Sequence, residues 1–406
     1  MKFINVKLSD IGEVVGGSTP STKNPNNYDG NIGWITPKDL AGYNKVYISK
    51  GERNITEMGF KSCSTKILPK NSILFSSRAP IGYVAISEND LCTNQGFKSI
   101  IPNDKINYKF LYYLLKHNKD YIASKGSGST FKEVSGSVMK GIELSIPKDI
   151  NDQKKISKVL FDIDKKIELN NQINNNLFEL LKSDFKNKFY KKDEKDSFLS
   201  DYISETIGGD WGKESPEGNN NTKVYCVRGA DIPSMEYGNK GNAPIRYILE
   251  KNYNNKKLNH NNIIIEISGG SPTQSTGRTA YITQNILDMY DFPLLCTNFC
   301  RAIETKNELL APFVYMNLKL MYEDDVFFNW ENGTTGIKNL ALNDMLSNIE
   351  VKTPDENDLK EYNLLFNNIM NKISNNSNEN IKLEQLRDTL LPKLMNGEID
   401  LDNIEI

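Results

Sequence analysis

The sequence predicts an α/β (mixed α+β) protein: two similar mixed α/β heads separated by two long helices packed as an antiparallel coiled coil. Three observations predict it. Leu91-Cys92-Thr93-Asn94-Gln95-Gly96-Phe97-Lys98 returns as Leu295-Cys296-Thr297-Asn298-Phe299-Cys300-Arg301-Ala302. Two stretches, 151–189 and 353–394, carry apolar residues at spacings of three and four, the period of a helix with one buried stripe. The rest alternates short apolar runs with Gly, Pro and Asn, the punctuation of short strands.

The repeat extends beyond one motif. Leu8-Ser9-Asp10 leads to Gly16-Gly17, and Leu199-Ser200-Asp201 leads to Gly208-Gly209. Gly33 to Leu40 corresponds to Val224 to Ile232. An apolar run enters a Ser/Gly loop at 72–83 and again at 263–278. Gly126-Ser127-Gly128-Ser129-Thr130 corresponds to Asn332-Gly333-Thr334-Thr335-Gly336, and Pro147 to Pro354. Six matches in one order mark a duplication.

Residues 1–147 form the first head. Its helix is expected at 107–121 and its last strand at 142–146. Residues 148–192 form the first spacer helix. Ile156, Leu160, Ile163 and Ile167 make its stripe, Asn170 and Asn174 continue it with polar side chains, and Leu177, Leu181, Phe185 and Phe189 resume it. Two readings of the asparagines stay open: a buried pair that fixes register, or a break of the helix at 174–176. Residues 193–352 form the second head, with a helix at 310–322 and a last strand at 347–351. Residues 353–406 form the second spacer helix, opened by Thr353 as cap, Pro354 and Glu356. Its stripe runs Leu359, Tyr362, Phe366, Ile369, Ile373, then Leu383, Leu386, Leu390 and Leu394. Each stripe is narrow, so Leu160, Ile163, Ile167, Leu177 and Leu181 are expected to pack on Leu359, Phe366, Ile369, Leu386 and Leu390. A helix of ~35 residues spans ~50 Å. On B-DNA that would separate two half-sites by about one to one and a half turns of ~34 Å.

Composition bounds the function. At 406 residues the chain exceeds one core, and its net charge of −2 carries no global basic signal. Its apolar runs are too short for a membrane helix. Five cysteines without zinc-type spacing suggest reduced thiols and a cytoplasmic protein. The two histidines, His117 and His260, lie in polar surroundings and build neither a metal cluster nor a triad. No Gly-x-Gly-x-x-Gly, phosphate loop or Asn/Asp-Pro-Pro-aromatic motif is present. The expectation is a binder: catalytic residues none, metal ligands none, cofactor none.

The loops carry residues suited to DNA. Thr19, Ser21 and Lys23 offer hydroxyls and a cation to phosphate. Arg78, after Ser76 and Ser77, and Arg278 offer guanidinium forks to a guanine edge. Gln274, beside Ser271 and Thr273, offers an amide to adenine. Lys125, Ser129, Thr130 and Lys132, and Thr334, Thr335 and Lys338, resemble backbone clamps. Tyr83, Trp211, Lys213 and Arg228 complete the candidates. The heads differ most in these loops.

The whole pattern resembles the specificity subunit of type I restriction–modification systems. Ile146-Pro147, then Asn151-Asp152-Gln153-Lys154-Lys155-Ile156, is similar to that family's entry into its first spacer helix. The C-terminal Leu386-Arg387-Asp388-Thr389-Leu390-Leu391-Pro392-Lys393-Leu394-Met395-Asn396-Gly397-Glu398-Ile399 resembles its closing motif. Leu359 stands where the second helix would carry Gln. The resemblance implies a non-catalytic subunit that binds a bipartite site on double-stranded DNA, one half per head. It implies two methyltransferase subunits as partners, with S-adenosylmethionine bound on them and adenine N6 as acceptor. Restriction subunits can join. The rival reading is a protein-binding adaptor with two heads on a coiled-coil spacer. A lone methyltransferase or nuclease is disfavoured by the missing motifs.

Overall fold

The computed structural model describes residues 1–78, 80–128, 132–190, 195–271, 273–333 and 338–399. The chain forms two compact units, Met1–Glu168 with Ile381–Ile406, and Leu169–Asn380. Each long helix contributes one part to each unit.

In the first unit, five strands lie in the order Gly12–Gly16, Lys98–Pro102, Ile73–Ser77, Ile81–Ser87 and Tyr47–Ile48. Ile73, Leu74 and Phe75 are fully buried, as a run of apolar residues in a central strand requires. A separate pair, Tyr28–Ile35 with Leu91–Thr93, is parallel and places Trp34 opposite Cys92. Phe3–Lys7 pairs antiparallel with Glu143–Pro147. The expected helix at 107–121 is Tyr108–His117, followed by a short one at Lys119–Ser124. Asn107 caps it through Phe110 N, and Phe110 to Leu115 are all buried.

The second unit repeats the plan. Leu294–Cys296 runs parallel to Asn220–Val227, with Val227 opposite Cys296. Four strands lie in the order Ile203–Gly208, Cys300–Thr305, Ile263–Glu266, Thr279–Tyr281. The helix is Leu310–Glu323. The last strand is shorter than expected, Glu350–Val351, because Ser347 belongs to the helix Leu342–Asn348.

The repeated motifs meet in space, which explains why they recur together. A Cβ on Gly17 would lie 2.1 Å from Thr93 O, and one on Gly209 would lie 1.9 Å from Thr297 O. The Gly-Gly segment therefore presses its backbone on the Leu-Cys-Thr segment in both units. The Leu-Ser-Asp motif is a turn lock: Lys7 N donates to Asp10 at 2.9 Å, and Phe198 N donates to Asp201 at 2.9 Å.

The first long helix is Ile150–Lys188 and runs through the asparagines without a break. The second is Glu356–Met395. Within the first unit, Ile156 and Leu160 share a core with Leu391, Leu394 and Met395. Within the second, Phe178, Leu181, Phe185 and Phe189 share one with Leu359, Tyr362, Phe366 and Ile369. Ile167 is buried, while Ile163, Leu177 and Leu390 are half-buried. Leu386 is a correction: it is 47% exposed. The buried seam takes every seventh residue, Leu359, Phe366, Ile373, Asn380, Arg387 and Leu394, so Arg387 occupies the place expected of a leucine. Residue partners fall in antiparallel order: Leu181 O accepts from Tyr362 OH, Asn174 from Asn376, Asn170 donates to Asn380, and Asp164 accepts from Arg387.

The asparagines form a buried polar layer. Asn170 Nδ2 donates to Asn380 Oδ1 at 2.9 Å and to Glu379 at 2.8 Å. Asn376 Nδ2 donates to Asn174 Oδ1 at 2.8 Å. The asparagines are therefore buried and paired, and the helix does not break at 174–176.

Gln153 explains the Asn-Asp-Gln motif. Fully buried, it accepts from Asn107 N at 2.8 Å and donates to Pro147 O at 3.0 Å, docking the long helix on the capped start of the Tyr108 helix. Leu359 serves the second unit differently, buried in its apolar core.

The five cysteines are free thiols. Burial pushes Cys92 up to about 11 and Cys226 and Cys296 up to about 12. No described helix is long and apolar enough to cross a membrane.

Candidate nucleic-acid interface

In the first unit the loop after Gly17 is pinned through its carbonyls. Trp34 Nε1 donates to Ser18 O at 3.1 Å, Tyr28 OH to Pro20 O at 2.6 Å, and Asn27 Nδ2 to Ser21 O at 3.0 Å. Holding the backbone this way leaves the side chains of Ser21 and Lys23 exposed. Thr19 is half-buried, and its hydroxyl donates to Gln95.

Ser76 and Ser77 are corrections. Both are fully buried. Ser76 Oγ donates to Pro80 O and accepts from Tyr83 N, each at 2.8 Å, which closes the hairpin. Ser77 Oγ donates to Gly96 O at 3.2 Å. Neither hydroxyl is available to DNA. Tyr83 is half-buried against the sheet core. Arg78 stands at the rim, 36% exposed, with Glu133 at 3.8 Å. Glu133 also holds Lys98 at 3.2 Å. Lys125 is exposed and lies 4.9 Å from the centre of the Tyr121 ring. Lys132 is exposed. Ser129 and Thr130 lie outside the described residues, as do Thr334 and Thr335.

The second unit holds its cations more tightly. Arg278 forms two bonds to Glu266, at 2.9 and 2.6 Å, and Glu266 is only 4% exposed. The bond to Glu266 raises the Arg278 pKa further, against its own burial. The guanidinium fork offered to a guanine edge is thus already engaged by a carboxylate of its own unit. Arg228 is likewise bidentate on buried Asp231, at 3.0 and 3.2 Å, and donates to Asn242 O at 2.8 Å. Lys338 pairs with Glu331 at 2.6 Å. Burial works against the Glu331 charge, but Lys338 and Thr276 N outweigh it and lower its pKa.

Gln274 is exposed, and its amide donates to Tyr322 OH at 3.1 Å. Thr273 is exposed; Ser271 faces it at 3.4 Å and closes a tight turn through its backbone to Gln274. Lys213 is exposed, with Glu217 at 3.3 Å. Trp211 is 39% exposed, and Arg246 lies 4.1 Å from its ring centre.

The carboxylates Glu133, Glu266 and Glu331, and Arg246, escape a reading of the sequence. Glu266 lies at the end of an apolar strand run and Arg246 in a strand whose alternation gives no hint of the tryptophan. Gln95, which accepts from Thr19, sits inside the repeated motif, and its replacement by Phe299 in the second copy is the one signal in the sequence that singles it out. The described residues hold no group of three His, Cys, Asp or Glu suited to a metal ion.

The family model of the type I restriction modification DNA specificity domain matches residues 2–179 and again 191–385. The chain is 35% identical to the MjaIX type I restriction enzyme specificity subunit of Methanocaldococcus jannaschii, over 98% of this chain and 94% of that one. It is 30% identical to the EcoR124I/EcoR124II specificity subunit of Escherichia coli, over 39% of this chain and 40% of that one. Its fold is similar to the crystal structure of a type I restriction-modification S subunit from M. genitalium, with a TM-score of 0.57 at 16% identity, covering 97% and 96% of the two chains. With both repeats matched and a relative aligned almost end to end, the chain belongs to the family of type I restriction–modification specificity subunits.

Proposed function

We propose that the chain is the DNA-reading subunit of a type I restriction–modification complex. Each head binds one half of a bipartite duplex site. The observation that carries this is the pairing of one repeated framework with two different loop sets. Gly17 and Gly209 press on equivalent strands, yet the loops beyond them present Thr19 in one head and Trp211 in the other. A common scaffold with unlike loops suits the reading of unlike half-sites.

The chain itself carries out no reaction; two methyltransferase subunits do so, with S-adenosylmethionine bound on them, and restriction subunits can join. The complex works in the cytoplasm. Leu169, Ile173 and Leu180 of the first long helix and Leu364 of the second are exposed apolar residues in the second unit. Exposed leucines on otherwise polar helices suit a protein partner.

Duplex binding measured against salt tests the reading. Phosphate contacts predict a loss of affinity of several powers of ten between about 50 and 200 mM salt. Binding insensitive to salt, or none, favours the adaptor. Methyl transfer from labelled S-adenosylmethionine by the chain alone would overturn the non-catalytic assignment.

A further inference from the structure

We infer that Trp211, backed by Arg246, is a stacking platform that takes a nucleobase of the second half-site. This rests on the DNA-reading function proposed above and assigns one residue's part in it.

The loop that carries Trp211 is braced on every side. Asp210 N donates to Cys296 O at 2.8 Å, and the Asp210 carboxylate accepts from Gly212 N at 3.1 Å and Asn252 Nδ2 at 2.6 Å. Lys256 Nζ donates to Gly209 O at 2.9 Å. Gly212 adopts a φ of +63°, and a Cβ there would lie 2.5 Å from Tyr247 O. Lys213 and Tyr247 exchange both backbone hydrogen bonds at 2.9 Å. A large aromatic ring left 39% exposed on a loop this rigid is ordered before anything binds it.

Arg246 covers one face of the indole. Its side chain is only 13% exposed, its Nε is buried without a hydrogen-bond partner, and Glu214 holds its far end at 3.4 Å. Among the described residues no other ring or cation stacks on the indole. Arg246 holds one face of the ring by cation–π attraction and leaves the other to a planar partner, and every base offers a flat face to such a ring. The side chains around it, Lys213, Glu214 and Glu217, pair with opposite charges and leave the local balance near neutral, so the contact is one of stacking rather than of phosphate attraction.

A nucleobase fits better than a protein partner because the feature is not repeated. A surface contacting two equivalent methyltransferase subunits should recur in both heads. At the corresponding place the first head has Thr19, hydrogen-bonded to Gln95. What differs between the heads is what each must recognise. Stacking on a duplex base needs an opened base step, so the site should include a flexible pyrimidine–purine step.

The test selects sites from a randomised duplex library with the full chain and with Trp211→Ala, Trp211→Phe and Arg246→Met. Expected are an unchanged first half-site, a lost preference at one step of the second, and binding weakened about ten-fold or more by Trp211→Ala, the scale of one base–aromatic stack. Trp211→Phe should restore most of it. The tryptophan emission that Trp211→Phe removes should be quenched when wild type binds the selected duplex, a reading that needs no folded alanine variant. If wild type selects a site but Trp211→Ala selects the same one at equal affinity, or the emission does not change, the inference alone fails. If Trp211→Ala loses methyltransferase association and keeps the half-site, the ring is a protein contact and the inference fails. If wild type selects no sequence, the DNA reading fails with it.

Discussion

Arg387 Nη1 donates to Asp164 Oδ1 at 2.7 Å, and Tyr113 OH donates to the other oxygen of the same carboxylate at 2.6 Å. Both ion-pair partners are largely buried, at 16% and 8% exposed. One carboxylate thus ties the head's helix to both long helices within the first unit. Burial works against the Arg387 charge, but Asp164 outweighs it and holds the guanidinium above its ordinary range. Burial, then Asp164, raises the Tyr113 phenol.

Removing one partner should therefore hurt more than removing both. Asp164→Ala leaves the buried guanidinium with only the exposed Asp388, at 2.9 Å, and strands the Tyr113 hydroxyl, and is expected to cost about 3 kcal/mol, the low end for a broken buried pair. The double variant Asp164→Leu with Arg387→Met should recover most of that loss. Denaturant unfolding of the full chain measures both. A double variant as unstable as the single one would contradict this account.

The asparagine layer gives a parallel expectation. Asn174→Ala strands the Asn376 amide and should cost about 1–3 kcal/mol, the penalty of a buried polar group without a partner. Asn174→Leu with Asn376→Leu should be neutral or stabilising, since apolar side chains then meet across the seam. The melting midpoints of the two variants decide it.

The framework was legible in the sequence because backbone geometry wrote it twice. Gly17 and Gly209 recur because a carbonyl leaves no space for a Cβ, and Asp10 and Asp201 because a turn needs a carboxylate. The helices were legible for the same reason of period. Their exact seam was not. Leu386 is apolar and in helical phase with Leu383 and Leu390, yet it faces solvent because Arg387 holds the seam for Asp164. That partner lies far away in the chain, and no local pattern announces it. The loop residues failed similarly: Ser76 and Ser77 look like surface hydroxyls until the hairpin closes on them, and Arg278 looks free until Glu266 appears beside it.

Adjacent glycines should respond oppositely to one methyl group. A Cβ on Gly16 would meet nothing within 4 Å, whereas one on Gly17 would meet backbone oxygen at 2.1 Å. Gly16→Ala is expected to change stability by less than about 0.5 kcal/mol. Gly17→Ala should cost at least about 3 kcal/mol, the upper end of overpacking, because backbone cannot swing aside as a side chain can. Thermal unfolding of the two variants separates them, and equal midpoints would refute the close approach.

The two loop arginines should part company as well. Arg78 is loosely paired with a half-buried Glu133 that also holds Lys98, so Arg78→Ala should leave stability within about 0.5 kcal/mol while relaxing one base of the first half-site by about 1–3 kcal/mol. Arg278→Ala instead strands Glu266 in the interior and should destabilise the second unit by about 3–5 kcal/mol. That loss of fold would by itself weaken DNA binding and imitate a lost base contact. The pair Arg278→Met with Glu266→Leu removes both charges together and should restore the fold. Site selection with this double variant then isolates the base-reading question. An unchanged second half-site would make Arg278 a brace for its loop. A folded double variant that has lost one base of the second half-site would return Arg278 to the guanine edge and overturn its structural role.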